Sequence, residues 1–255
     1  MLKGKALAAL LEEKYERYAN SHFIGTDPIQ IPRQFSKKED IEIAGFLAAT
    51  IAWGQRVSII KNAQTMVDLM DSAPHDFVLN HQASDRKRFT GFVHRTFSDV
   101  DAMYFMEALQ HLYQNKNGLE ACFAQGENAQ VRIGNFHQIF FEIEHLQRTK
   151  KHVSNPEKGS SAKRLNMYLR WMVRPATEGV DFGIWKSIPT SQLMLPLDVH
   201  TGNVARKLGL LTRKQDDWKA VDELTSNLRT FDENDPVKYD YALFGIGAFE
   251  KGIIG

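Results

Sequence analysis

Apolar residues in this chain recur at three- and four-residue spacing far more often than they alternate, and that spacing predicts helices along most of its length. The first apolar stretch, Leu7 to Leu11, is interrupted by Glu12, Glu13 and Lys14, which suits an amphipathic helix and not a signal peptide. Ser36-Lys37-Lys38-Glu39 has the form of a capping box. It introduces a run from Ile41 to Ile60 that is charged only at Glu42 and Arg56, the pattern of a buried central helix broken near Gly54. Pro74-His75-Asp76 reads as a helix start, and Ser98-Asp99-Val100-Asp101 as the cap of a helix running to Asn117-Gly118. Asn135 to Gln147 is apolar and aromatic at helical spacing, Ser154 to Ser161 is a polar turn, and Ala162 to Arg174 is a helix stopped by Pro175. A longer connection with Gly179, Gly183, Pro189 and Pro196 leads to Asp198, which precedes a helix ending at Gly209. Thr212 caps a further helix through Leu228, and Asp235-Pro236 opens the last, with Gly252 near its end. Strand alternation is scarce. The expectation is an all-α fold of about ten helices.

Composition narrows this picture. With 255 residues and 43% hydrophobic residues the chain can bury a real core. No apolar run reaches the length of a membrane span. Cys122 is the one cysteine, which excludes an internal disulfide, a cysteine zinc site and an iron–sulfur cluster, and makes the cytoplasm the default compartment. The net charge of +1 conceals an asymmetry: Arg148 to Lys214 holds thirteen Lys and Arg against four acids, and the remainder is net acidic. Such a segment focuses a polyanion on one face, although clustered charge on a solvated helix would look the same.

Within the basic segment, Lys163, Met167, Arg170 and Arg174 share one helix face, apart from the apolar face of Leu165, Tyr168, Leu169 and Met172. Lys163 falls in the first turn. The helix dipole, Arg164 and Lys158 all oppose a cation there, which favours the free amine that a nucleophile needs. By helix logic alone a surface lysine or a phosphate contact is the better fit. Asp198 occupies an N-cap position, where backbone N–H groups hold a carboxylate ionised; a fixed anion of that kind can stabilise a developing oxocarbenium ion, or simply cap its helix. His200 suits a phosphate contact or internal packing.

Gly159-Ser160-Ser161-Ala162-Lys163-Arg164-Leu165-Asn166-Met167, followed by Pro196-Leu197-Asp198-Val199-His200 and Arg206, resembles the core of the helix-hairpin-helix DNA glycosylases. That superfamily includes endonuclease III, the mismatch adenine glycosylase and the 8-oxoguanine glycosylases. Lys163 matches its lysine, Asn166 a frequent asparagine three residues on, and Asp198 its aspartate. The Pro-Leu-Asp-Val-His run is closest to the 8-oxoguanine branches, and the long Lys–Asp spacer is similar to the archaeal type. The hairpin Gly-x-Gly is reduced here to Gly159-Ser160-Ser161, so the hairpin is expected to be irregular. Over most of its length the chain also resembles a bacterial family of unknown function, through Ala52-Trp53-Gly54-Gln55-Arg56, His94-Arg95-Thr96-Phe97, Lys163 to Arg174 and Phe244-Gly245-Ile246-Gly247.

The glycosylase resemblance implies one compact two-lobed unit, lobe A near 36–174 and lobe B combining 1–35 with 175–255, with an active-site cleft between them. It implies base excision on duplex DNA carrying a damaged base, 8-oxoguanine or another oxidised base, by a bifunctional glycosylase and AP lyase. Lys163 attacks C1′ and Asp198 stabilises the sugar. Trp53, Gln55, Arg56, Phe244 and Phe249 are the base-pocket candidates. Lys158, Gly159, Ser160, Ser161, Arg164, Arg170, Arg174, His200 and Arg206 are the phosphate-binding candidates. No metal or other cofactor, no membrane and no obligate protein partner are called for; the protein would be cytoplasmic and nucleoid-associated when on DNA. A non-catalytic nucleic-acid-binding relative is the first rival. A metal-dependent phosphohydrolase using His75, Asp76, His94, Asp99 and His111 is the second.

Overall fold

The computed structural model describes residues 4–20, 24–25 and 27–250. Among these residues, twelve α-helices follow in chain order: α1 (Lys5–Tyr18), α2 (Lys38–Thr50), α3 (Arg56–Asp68), α4 (Pro74–Asn80), α5 (Ala83–Arg86), α6 (Asp99–Asn115), α7 (Gly118–Phe123), α8 (Ala129–Phe140), α9 (Lys163–Val173), α10 (Val199–Leu208), α11 (Trp218–Arg229) and α12 (Tyr239–Phe249). The described strands are β1 (Val93–His94) and β2 (Phe97–Ser98), an antiparallel pair before α6. The fold is all-α. No described helix is long and apolar enough to cross a membrane.

The chain divides into two compact units, one of Ile24–Ser154 and one of Met1–Phe23 with Asn155–Gly255. The expected lobe boundaries at 35/36 and 174/175 therefore shift, and α9 belongs with the two chain ends. The reason lies in what α9 touches. Phe182 and Trp185 donate backbone N–H groups to Trp171 O and Met172 O, at 2.8 and 2.9 Å, and the Trp185 ring meets Tyr168 edge-on. Those contacts fasten the 176–196 connection along the helix.

In the unit Ile24–Ser154, α2 is the central helix that its apolar run predicts, buried from Ile41 to Thr50. Its Phe46 ring meets Phe105, Phe136 and Phe140 at 5.5–5.8 Å between centroids. The expected break is present: α2 stops at Thr50, and Gly54 has φ +106°, backbone that a side chain rarely adopts. The Ser36 capping box does not form, because Lys37 is the N-cap and makes no side-chain cap bond. Ser98 does cap α6, in a reciprocal box with Asp101. The helix expected over 135–147 lies earlier, at 129–140, capped by Asn128.

In the other unit, α12 packs against α1 and α10. A Cβ added at Gly245 would lie 2.1 Å from Tyr18 Cδ2, and one at Gly247 would lie 3.2 Å from His200 Cβ, so both glycines permit close helix approach. Asp217, not Thr212, caps α11; Thr212 instead binds Glu223 through its N–H and hydroxyl. Asp235-Pro236 opens a single 3-10 turn, and α12 begins at Tyr239. Gly252 lies outside the described residues.

Candidate active site

Three helix starts carry charged residues in the unit of the chain ends. Lys163 is the first residue of α9, Asp198 is the N-cap of α10, and Asp240 is the second residue of α12. Lys163 Nζ lies 3.9 Å from Asp198 Oδ2, with the side chains 30% and 24% exposed, so the pair is partly screened and still open to a ligand. Asp198 Oδ1 accepts the Thr201 N–H at 2.9 Å, as the N-cap position predicts. Lys163 and Asp198 thus belong to one unit, whereas the expected boundaries put them in different lobes.

The turn before Lys163 is irregular in a specific way. Gly159, at φ +86°, closes the 3-10 turn Pro156–Lys158, and its carbonyl accepts the Trp218 N–H at 3.1 Å. Ser160 forms a single antiparallel bridge to Asp217, and its Oγ accepts the Ala162 N–H at 3.2 Å. The second left-handed residue is Ala162, at φ +47° and fully buried. A non-glycine residue in that region costs on the order of 1–3 kcal/mol and needs surrounding structure to hold it. Asn166 supplies part of that support by donating Nδ2–H to Ser161 O at 3.1 Å. Nothing in the Ala162 side chain signals this conformation in advance.

The phosphate-binding candidates separate into two groups. Lys158 and Gly159 are exposed, Ser160, Ser161 and Arg164 are half-buried, and His200 is exposed on α10. Burial pulls the Arg164 guanidinium down to about 10, which leaves it a cation at neutral pH. Arg170 and Arg174 do not fit the role predicted for them, being only 4% and 2% exposed. Arg170 Nε donates to Asp181 Oδ1 at 3.3 Å and its Nη1 donates to Asp240 Oδ2. Arg174 donates to Asp235 at 2.8 Å, Asp181 at 3.1 Å, Glu178 at 3.3 Å and the Tyr15 hydroxyl at 2.5 Å. Burial alone would lower the Arg174 guanidinium, but Asp235 and Asp181 outweigh it and hold it raised. Four of the five Arg174 N–H donors are thus committed inside the protein, and at 2% exposure the group is closed to a phosphate. Arg206 is also committed, to Asp216 at 2.5 Å and to the Arg213 carbonyl at 2.8 Å.

Of the base-pocket candidates, Phe244 is half-buried with its ring 6.3 Å from His200, and Phe249 is 59% exposed and stacked on Tyr18. His200 also lines a cavity of about 190 Å³ with Asn203, Val204, Lys207, Ile246, Gly247 and Glu250. Trp53, Gln55 and Arg56 belong to the unit Ile24–Ser154. There Trp53 packs edge-on against His94 and parallel to His152, and its carbonyl meets His94 Nε2 at 3.1 Å. Gln55 is exposed at the start of α3.

Among the described residues no three His, Cys, Asp or Glu side chains converge as a metal shell requires, so the grouping of His75, Asp76, His94, Asp99 and His111 is not assembled. His75 meets Lys37, His94 meets Asn62, His111 meets Glu142, and Asp99 accepts the Gly91 N–H.

Asp240 is the residue that sequence reasoning missed. It is 7% exposed, paired with Arg170, and within electrostatic reach of both Lys163 and Asp198. Burial pushes its carboxyl up to about 6 even though Arg170 opposes the shift. Its one sequence signal is a place in the first turn of a helix, where acids are common.

The family described as a protein of unknown function (DUF2400) matches residues 27–249. Comparison with curated proteins gave no match, and comparison with solved structures gave none.

Proposed function

The chain belongs to the DUF2400 family, whose function is unknown, and we propose that this protein is a helix-hairpin-helix DNA glycosylase that removes a damaged base through Lys163. The observation that carries the reading is the partly exposed Lys163–Asp198 pair at 3.9 Å, set where a left-handed turn enters one helix and an N-cap opens another. An amine beside a fixed carboxylate suits attack on an anomeric carbon.

In this reaction the damaged nucleotide leaves the stack. The Lys163 amine forms a bond to C1′ as the N-glycosidic bond breaks. Its electron pair departs with the base, which takes up a proton. Loss of the amine proton and opening of the sugar give a Schiff base, from which β-elimination cleaves the strand. Asp198, anchored by the Thr201 N–H that it accepts, stabilises the positive charge that develops on the sugar. Lys158, Gly159, Ser160, Ser161, Arg164, His200 and the 23%-exposed Arg206 are the groups we assign to phosphates, now without the buried Arg170 and Arg174. 8-Oxoguanine is the first base to test, on the strength of Pro196-Leu197-Asp198-Val199-His200.

Borohydride trapping tests the reading. Wild-type protein on duplexes carrying 8-oxoguanine, other oxidised bases or an abasic site is expected to yield a covalent adduct, and Lys163→Gln none. Retained duplex binding with no adduct on any of these substrates would refute the enzyme and leave a nucleic-acid-binding protein in its place.

A further inference from the structure

Helix α9 begins without the device that opens its neighbours. Helices α10 and α11 are each capped by an aspartate, Asp198 and Asp217, whose side chain accepts a first-turn N–H. The N-cap of α9 is Ala162, which makes no side-chain cap bond and sits in the left-handed region at φ +47° and ψ +35°. A left-handed alanine is disfavoured by its own Cβ and persists only where its neighbours fix it. Lys163 is the next residue, so any relaxation of Ala162 moves the start of the lysine directly.

The two peptide planes that define Ala162 are both held by Asn166. The Ser161 carbonyl, in the plane before Ala162, accepts Nδ2–H of Asn166 at 3.1 Å. The Ala162 carbonyl, in the plane after it, accepts the Asn166 backbone N–H at 2.9 Å. The other end of the first plane is held as well, because the Ala162 N–H donates to Ser160 Oγ at 3.2 Å. Asn166 is 1% exposed, so its amide bond to Ser161 forms out of the reach of water. The backbone bond to Ala162 would survive most substitutions at this position. The side-chain bond would not, because aspartate has no donor and alanine no polar group.

Resting on the reading of Lys163 as nucleophile, we propose that Asn166 is its positioning residue. By holding Ala162 left-handed it sets Lys163 Nζ at 3.9 Å from Asp198 Oδ2. It acts through the backbone and does not touch substrate. The amine and the carboxylate stand on separate helices, α9 and α10, so their separation depends on where α9 starts, and that is what the Ser161 and Ala162 planes decide.

Carbodiimide coupling tests this without DNA. The reagent activates the Asp198 carboxyl as an O-acylisourea, the Lys163 amine displaces the urea, and an amide joins the two side chains. Mass spectrometry quantifies the joined peptides. Lys238 and Asp232, 2.8 Å apart in the same unit, give the internal control. Asn166→Ala is expected to lower the Lys163–Asp198 product by roughly tenfold and to leave the control product unchanged. Adding Ala162→Gly should restore most of it, since glycine enters the left-handed region without strain. In borohydride trapping at saturating duplex, Asn166→Ala should slow adduct formation by roughly 10- to 100-fold while the duplex Kd stays within about twofold, and Ala162→Gly should again restore the rate. An unchanged Lys163–Asp198 product in folded Asn166→Ala overturns the proposal. So does a loss that the control product shares, or one that Ala162→Gly does not restore. Asn166→Asp, which keeps the volume and lacks the donor, is read in the same way if Asn166→Ala does not fold. Coupling that depends on Asn166, with no DNA adduct from wild-type protein, leaves the positioning role standing and removes only the glycosylase reading.

Discussion

Replacing Arg174 by methionine separates two roles that its sequence position allows. A phosphate contact would make it a surface cation, whereas the fold encloses it at 2% exposure with Asp235, Asp181, Glu178 and Tyr15 around its guanidinium. Methionine fills much of the volume and removes the charge. Asp181, 1% exposed, keeps Arg170 and the Tyr241 hydroxyl, but Asp235, with its side chain 21% exposed, loses its cation. Breaking one side of a buried pair costs about 3–5 kcal/mol, against a total stability on the order of 5–15 kcal/mol. With a urea m-value of about 2–3 kcal/mol per molar, the midpoint should fall by roughly 1–2 M. Tryptophan fluorescence follows the right unit, since Trp171, Trp185 and Trp218 lie in it and only Trp53 lies in the other. The folded variant should bind duplex DNA with an unchanged salt dependence. A wild-type midpoint, together with a slope of log K against log salt reduced by about 0.9, would mean that Arg174 does meet a phosphate and that the buried network is wrong.

Two further outcomes follow from packing and from charge. Gly245→Ala places a Cβ 2.1 Å from the Tyr18 ring, which Glu250 and Phe249 hold in place, so a loss of about 1–3 kcal/mol is expected despite the better helix propensity of alanine. Thermal melts of Gly245→Ala, Tyr18→Ala and the double variant should show strong coupling; additive losses would refute the clash. In the other unit, burial pushes the Asp101 carboxyl up, but the Ser98 N–H, Thr149, His152 and the Ser98 hydroxyl together hold it below the ordinary value. A carboxyl so depressed adds stability above the ordinary aspartate range and loses it as the pH falls through the depressed value. The melting temperature of wild-type protein should therefore fall from pH 6 to pH 3, and less so in Asp101→Asn; parallel curves for the two proteins would contradict this.

Local sequence determined much of the helical framework, because the information is held within a few residues. The apolar run around Phe46 dictates a central helix, Gly54 its break, Ser98 and Asp198 their caps, and Pro175 the end of α9. What brought Lys163 and Asp198 forward as a pair was the resemblance carried by Gly159 to Met167 and Pro196 to His200, not helix logic, which left each with an ordinary reading. Elsewhere local signals misled. Ser36 and Thr212 have capping side chains, yet Lys37 and Asp217 hold the N-cap positions, since tertiary contacts choose among neighbouring starts. The arginine face of α9 read as a DNA surface because Asp181, Asp235 and Asp240 lie 7 to 70 residues away from their partners, each unremarkable where it stands. Charge pairing over that separation is decided by packing alone. The same packing turned Ala162 left-handed and buried Asp240 against Arg170, within electrostatic reach of Lys163, so that arrangement belongs to the tertiary structure and not to any motif.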